Sequence, residues 1–296
     1  MRARTLDSSP RILPLYARAA APMIPGASLL PFLPGGGGEI PELELTLPGV
    51  RADRDAVAAY DRVCGFALRD RLPPTYPHVL AFPLHMAVMA DGDFPFGAVG
   101  LVHLENRVEQ RRPISIDEEL DLTVRPTPLR RHPKGKIFSL LTEARAGEEL
   151  LWQSESTILR RGGGEGAAQR SYGDRTPDSG PAGAEDQASA EWRLGGDLGR
   201  RYAAVSGDRN PIHMHSLTAK PLGFPAAIAH GMWTKARCLA ALESRLPDAF
   251  TAEVAFRRPI LLPATVEFGS SAEGGRIEFF VRDAEKHTPH LEGSVK

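Results

Sequence analysis

A carboxylate, an imidazole and a pair of chain-bending residues are crowded into Tyr202-Ala-Ala-Val-Ser-Gly-Asp-Arg-Asn-Pro-Ile-His213, and Ile228-Ala-His-Gly-Met232 follows shortly after. Gly207 and Asn210-Pro211 break regular structure, so Asp208 and His213 can converge on one point instead of spreading along a helix face. Such a pair can exchange a proton near neutral pH without a metal, and general acid/base work of this kind contributes about 10²–10⁴-fold to a rate. No metal-ligand cluster is read in the sequence, and neither metal nor organic cofactor is expected. Seen in isolation, an Asp-His pair is more often a structural hydrogen bond than a catalytic one, so the surrounding elements must decide.

Those elements begin with residues 1–38, rich in Pro, Ala and Gly and ending in Gly35-Gly-Gly-Gly38, which read as an irregular arm. Leu43, Leu45 and Leu47 then alternate with Glu42, Glu44 and Thr46, the period of a half-buried strand. A helix is expected over 54–69 and a second one from Pro83 to Ala90, where proline favours a helix start. Strands are expected over 99–110, 120–124, 136–144 and 150–160. Between Arg161 and about Ala190 the composition falls to Gly, Ala, Ser, Asp and Glu, too little apolar surface to offset the entropy of ordering. This is a flexible linker. Beyond it, apolar residues recur at helical spacing over 225–246, and strands are expected over 250–256, 264–270, 276–283 and 289–295.

The two parts repeat each other. Tyr60-Asp-Arg-Val-Cys-Gly65 matches Tyr202-Ala-Ala-Val-Ser-Gly207, and Arg111-Arg-Pro-Ile114 matches Arg257-Arg-Pro-Ile260, as a tandem duplication would leave. The offset puts Phe66, Leu68 and Arg71 opposite Asp208, Asn210 and His213, with His85 opposite Gly231. One half keeps the acid/base residues and the other has lost them. The chain therefore divides into an arm (1–38), a first unit with a degenerate site (39–161), the linker (162–190) and a catalytic second unit (191–296).

Composition excludes several classes. With 36 basic and 37 acidic residues, nothing favours nucleic acid or an anionic membrane as the main partner. No apolar run approaches the ~20 residues of a membrane span. Cys64 and Cys238 are the only cysteines, which fits a reducing compartment, the cytoplasm by default.

The segment Tyr202-x-x-Val-Ser-Gly-Asp-x-Asn-Pro-Ile-His-x5-Ala219, with Gly223-Phe224 and Ile228-Ala-His-Gly-Met232, resembles the MaoC-like motif of (R)-specific enoyl-CoA hydratases and 3-hydroxyacyl-thioester dehydratases. With the decayed first repeat, the wider resemblance is to double-hotdog members of that family. It implies an α+β fold of two hotdog units, each a central helix wrapped by an antiparallel sheet, forming within one chain what single-unit relatives form by dimerising. A further homodimer is compatible with it. It also implies reversible hydration of trans-2-enoyl thioesters to (R)-3-hydroxyacyl thioesters in fatty-acid metabolism, carried on CoA or an acyl-carrier protein. In this reading Asp208 and His213 hold and activate water, and the Gly231 N–H receives the thioester oxygen. Ser206, Asn210, Phe224, His230 and Met232 support the site or bind substrate. An acyl-CoA thioesterase and a non-catalytic acyl-thioester-binding subunit remain as alternatives on the same fold.

Overall fold

The computed structural model describes residues 2–20, 38–98, 100–162 and 188–296. Strand β1 (Arg2–Thr5), helix α1 (Ile12–Ala20) and strand β2 (Leu43–Val50) open the chain, followed by α2 (Arg54–Cys64) and α3 (Tyr76–Met89). Next come β3 (Val102–Gln110), β4 (Leu120–Pro126), β5 (Arg130–His132), β6 (Gly135–Ala146) and β7 (Glu149–Arg161). The second part holds β8 (Ala188–Leu194), α4 (Leu198–Ser206), the short α5 (Pro211–Met214) and α6 (Ser216–Ala219), and α7 (Gly231–Ala241). It closes with β9 (Phe250–Phe256), β10 (Ala264–Glu273), β11 (Arg276–Asp283) and β12 (Pro289–Val295).

One continuous sheet runs in the order β1-β2-β4-β6-β7-β3-β9-β12-β11-β10-β8, with β5 paired to β6 at the side. Read inward from β2 and from β8, the two halves have the same strand order, so the repeat seen in sequence is also a repeat of topology. Leu43, Leu45 and Leu47 are buried and Glu44 and Thr46 are not, as a strand with one face on the core requires.

Several expectations change, among them the helix expected over 54–69, which ends at Cys64. Residues 2–20 of the N-terminal arm are not irregular: β1 pairs parallel to β2 from Arg2↔Leu43 to Thr5↔Thr46, and α1 rests Ile12, Leu15 and Tyr16 against the core; residues 21–37 of the arm lie outside the described residues. Pro14 does not prevent α1, because it stands in the first turn, where an N–H has no intrahelical partner to lose. Helix α3 starts at Tyr76, well before Pro83, which lies inside it. Burial of Ala81, Leu84, Met86 and Val88 holds the helix through the proline, so the first-half helix is longer than expected and not shortened. Helix α7 starts at Gly231 instead of Pro225, since Ile228 bridges to Leu261 and the Ala229 N–H donates to the Ile260 carbonyl at 3.0 Å. Of the expected linker, residues 163–187 lie outside the described residues, and β8 already begins at Ala188.

The halves join where β3 pairs antiparallel with β9, from Glu105↔Ala255 to Gln110↔Phe250. Lys235 of α7 lies beneath this seam with no solvent exposure. Its ammonium donates to the Asn106 carbonyl (3.2 Å), Asn106 Oδ1 (2.6 Å) and the Ala252 carbonyl (3.0 Å), so all of its donors meet acceptors from both halves. Asn106 in turn donates to Ser154 Oγ and Ser156 Oγ at 3.1 and 3.0 Å. A buried acceptor left unmet costs about 1–3 kcal/mol. Lys235→Met keeps the chain length but removes the donors, and is expected to lower unfolding free energy by about 2–4 kcal/mol, a sum over the acceptors it strands, measured by urea denaturation followed by circular dichroism.

Candidate active site

Asp208 is aimed by the end of α4. Gly207 caps that helix in the left-handed region at φ 76°, a conformation that costs glycine little, and the chain turns sharply there. The Asp208 N–H donates to Ser206 Oγ at 3.2 Å, and Ser206 is tied to the Tyr202 carbonyl at 2.8 Å. Asp208 Oδ1 accepts the Asn210 N–H at 3.1 Å. Asn210 and Pro211 then start α5, the Asn210 side chain accepting the Ile212 N–H. His213 ends up on that short helix, whose backbone lies so close to α4 that a Cβ at Gly199 would collide with the His213 carbonyl oxygen.

His213 Nδ1 is 2.8 Å from the Ile228 carbonyl. Because a carbonyl only accepts, Nδ1 carries the proton and Nε2 is left with a lone pair. His230 stacks on His213 with ring centroids 3.7 Å apart, and its Nε2 donates to the Asp208 carbonyl at 3.0 Å. It thus props both residues of the pair. Burial pulls the His213 pKa below its ordinary value of 6.5 despite the opposing pull of Asp208. At Asp208 burial pushes upward, but the two imidazoles, the Tyr16 hydroxyl and the Asn210 N–H outweigh it and hold the carboxyl below 3.8. At neutral pH the pair is a carboxylate beside a neutral imidazole.

The sequence reading missed Tyr16. Its hydroxyl, on α1, donates to Asp208 Oδ1 at 2.8 Å and accepts the Arg209 N–H at 2.9 Å. No local pattern could show this, for the partners are 192 residues apart. Asp208, His213 and His230 bring possible ligand atoms to within 4.8 Å of one another. His230 Nε2 and Asp208 Oδ1 are already engaged in hydrogen bonds.

Asp208, His213, His230 and Gly231 line one cavity of about 910 Å³, together with Ser206, Asn210, Phe224 and Met232. The site residues read from sequence are therefore brought together. The N–H groups of the first turn of α7 have no partner within the helix, and the positive end of its dipole faces the same space. Glycine at 231 is also a packing requirement, since a Cβ would lie 3.0 Å from the Phe256 ring.

Comparison with known proteins places this geometry. Residues 184–293 match the MaoC like domain. The chain is 36% identical over 272 residues to 3-hydroxyacyl-thioester dehydratase X of Mycobacterium tuberculosis, covering 91% of this chain and 94% of that protein. The chain belongs to the MaoC-like dehydratase family. The crystal structure of HtdX from Mycobacterium tuberculosis superposes with a TM-score of 0.75 at 35% identity, covering 85% of this chain and 98% of that one. A conserved hypothetical protein of the same organism, described as a double hotdog, is similar in fold at a TM-score of 0.52 and 12% identity, over 84% of this chain and 92% of its own. The architecture is that double hotdog.

In this MaoC-like dehydratase the first repeat retains the backbone device and not the chemistry. Gly65 caps α2 in the left-handed region at φ 86°, as Gly207 caps α4. Beyond it, Phe66 is buried against Tyr60, Leu68 is 67% exposed and Arg71 pairs with Asp248. His85, opposite Gly231, falls inside α3, where its N–H belongs to the helix. No open helix start exists at that point in the first half.

Six buried histidines set the acid response. Burial lowers His78 to about 4, His103 and His230 to about 3, and holds His85, His213 and His290 below 6.5. Below pH 6.5 the unfolded chain takes up protons that the folded one refuses, so stability falls as pH falls, by about 1.4 kcal/mol per pH unit for each such group. Asp208, also depressed, acts in the same direction at lower pH, and Asp61, raised by burial to about 6, opposes them. Denaturant midpoints measured from pH 7.5 to 5 are expected to drop steadily below about pH 6.5, the ordinary imidazole pKa.

Proposed function

We propose that the protein adds water to trans-2-enoyl thioesters to give (R)-3-hydroxyacyl thioesters, and runs the reverse dehydration. The observation that carries this reading is that the Asp208 carboxylate and the unprotonated Nε2 of His213 face the same cavity as Gly231 and the open first turn of α7. The relative's name, 3-hydroxyacyl-thioester dehydratase, points to the same chemistry.

A water held between Asp208 and His213 gives a proton to Nε2 as its oxygen attacks the β-carbon. The double-bond electrons move toward the thioester oxygen, where the Gly231 N–H and the α7 dipole stabilise the developing charge. The imidazolium, held beside the Asp208 carboxylate, then delivers its proton to the α-carbon. Hydroxyl and hydrogen are added in one cycle and the enzyme returns to its starting state. Asn210 and Ser206 brace the loop, His230 props the pair, and Phe224 and Met232 border the acyl thioester.

Exposed Lys134, Arg161 and Arg257 and half-buried Arg258 line the cavity mouth, where they suit the phosphates of CoA or of a carrier protein's pantetheine arm. Phe82, Met86, Met89 and Leu140, all buried, line the interior. Each methylene that enters gains about 0.8 kcal/mol, so medium and long chains are expected to be preferred to crotonyl-CoA. No helix among the described residues is long and apolar enough to cross a membrane. A cytoplasmic setting fits Cys64 and Cys238, both free and buried thiols.

Following enoyl-thioester absorbance tests the reading. Asp208→Asn and His213→Ala are each expected to lower kcat by about 10²–10⁴-fold with circular dichroism unchanged, and the double variant to be little worse, since the pair acts on one water. Near-wild-type turnover in either variant would overturn the mechanism, and release of free CoA from a saturated acyl-CoA would indicate a thioesterase instead. Tyr16→Phe, which removes a hydrogen bond to a charged group worth about 1.5–3 kcal/mol, is expected to lower kcat about tenfold or more and KM much less; unchanged kcat would show that Asp208 is oriented without it.

A further inference from the structure

The proposed reaction leaves a group of polar side chains in the cavity wall without a task. His78 and His85 stand seven residues apart on α3, hence on one face of the helix, and His103 faces them from β3. All three line the cavity. The His78 ring lies 4.8 Å from that of His85 and 6.4 Å from that of His103, the planes of His78 and His103 only 21° apart. His85 is accounted for, its Nε2 sharing a 2.8 Å hydrogen bond with Thr142 Oγ1. His78 Nδ1 and His103 Nε2, like His230 Nδ1 beside the Asp208–His213 pair, are buried and have no hydrogen-bond partner among the described residues.

Two orphaned nitrogens on facing walls of one cavity are costly, because a buried polar atom without a partner has given up its water for nothing. A wall meant only for a hydrocarbon chain would be more stable with leucine or phenylalanine there, and Phe82, Met86, Met89 and Leu140 around it are of that kind. Burial lowers His78 to about 4 and His103 to about 3. Both rings are therefore neutral near pH 7, and each offers one donor and one acceptor. His103 packs on Phe256 with ring centroids 5.1 Å apart, and Phe256 in turn covers Gly231, so the histidine pair lies just beyond the point where the thioester oxygen would sit.

We propose that His78 and His103 form a polar subsite in the acyl part of the cavity that receives a hydrogen-bonding oxygen, a hydroxyl or a ketone, carried on the acyl chain beyond the reacting carbons. This rests on the enoyl-thioester reading and narrows its substrate class: the preferred chains are oxygenated. It also gives the decayed half a use, since His78 of α3 and His103 of β3 become a recognition wall.

The test compares a plain medium-chain trans-2-enoyl-CoA with chains of equal length bearing one hydroxyl or ketone at successive positions beyond the β-carbon. At one position or more, wild-type kcat/KM is expected to favour the oxygenated chain by about tenfold or more, because a site with unmet polar groups discriminates against an analogue that leaves them unmet. His78→Phe and His103→Phe are each expected to bring that ratio toward one, while His78→Asn and His103→Gln, which keep hydrogen-bonding groups, preserve part of it. Melting temperatures identify any variant that has lost its fold. Calorimetric binding of the matching saturated acyl-CoA pairs reads the same preference without turnover, so a failure of the hydration chemistry is distinguished from a failure of the subsite. A wild-type preference for the plain chain at every position, or a ratio that survives both Phe variants, would mean that the nitrogens merely hold bound water and would overturn the proposal.

Discussion

The pairing of β3 with β9 is the constraint from which the active site takes its shape. Backbone hydrogen bonds across that seam fix the two halves in register, and the buried Lys235 ammonium ties α7 to both strands at once. Phe256, at the end of β9, fills the space beside Gly231, while His103 of β3 packs on its ring. A slip of one residue would turn these side chains to the opposite face of the sheet. The position of the α7 N-terminus relative to the first-half wall is thus set by sheet register and not by the loops that carry Asp208 and His213.

Strands were legible where alternation and turn residues agreed. β9, β11 and β12 occupy the residues that the pattern assigns, and the Ser206-to-His213 segment brings its carboxylate and imidazole into one cavity as its bends imply. Helix boundaries were less legible, because they depended on partners elsewhere. Proline at 83 looks like a helix start when read locally, yet α3 runs through it on the strength of buried Leu84, Met86 and Val88. Conversely, the helical spacing over 225–230 is overruled by backbone bonds to Ile260 and Leu261. The N-terminal arm could not be read as structure at all, since β1 has no meaning without β2 as a template and α1 acquires its buried face only on the finished core.

The two repeats show which features a duplicated fold must keep and which it can lose. Tyr60 and Tyr202 still pack on one another, 6.1 Å apart, and Gly65 and Gly207 still turn the chain in the same left-handed conformation. Besides the lost acid/base residues, the halves differ in where a helix begins. Gly231 opens α7 and offers unpaired N–H groups to the cavity, whereas His85 lies within α3, its N–H committed to the preceding turn. A shifted helix start changes which N–H groups meet the cavity while the strand order of the two halves stays the same.

The bond from Tyr16 to Asp208 has a consequence for the chain as it is made. Helix α1 is synthesised before the carboxylate it bonds, which follows 192 residues later. During that interval Ile12, Leu15 and Tyr16 lack the second-half part of their docking surface, and an unfinished chain presents them as exposed apolar groups. Domains made N-terminal first at about 5–20 residues per second leave such a segment waiting for about ten seconds or more. The docking surface of α1 is therefore complete only once the second half has folded against it.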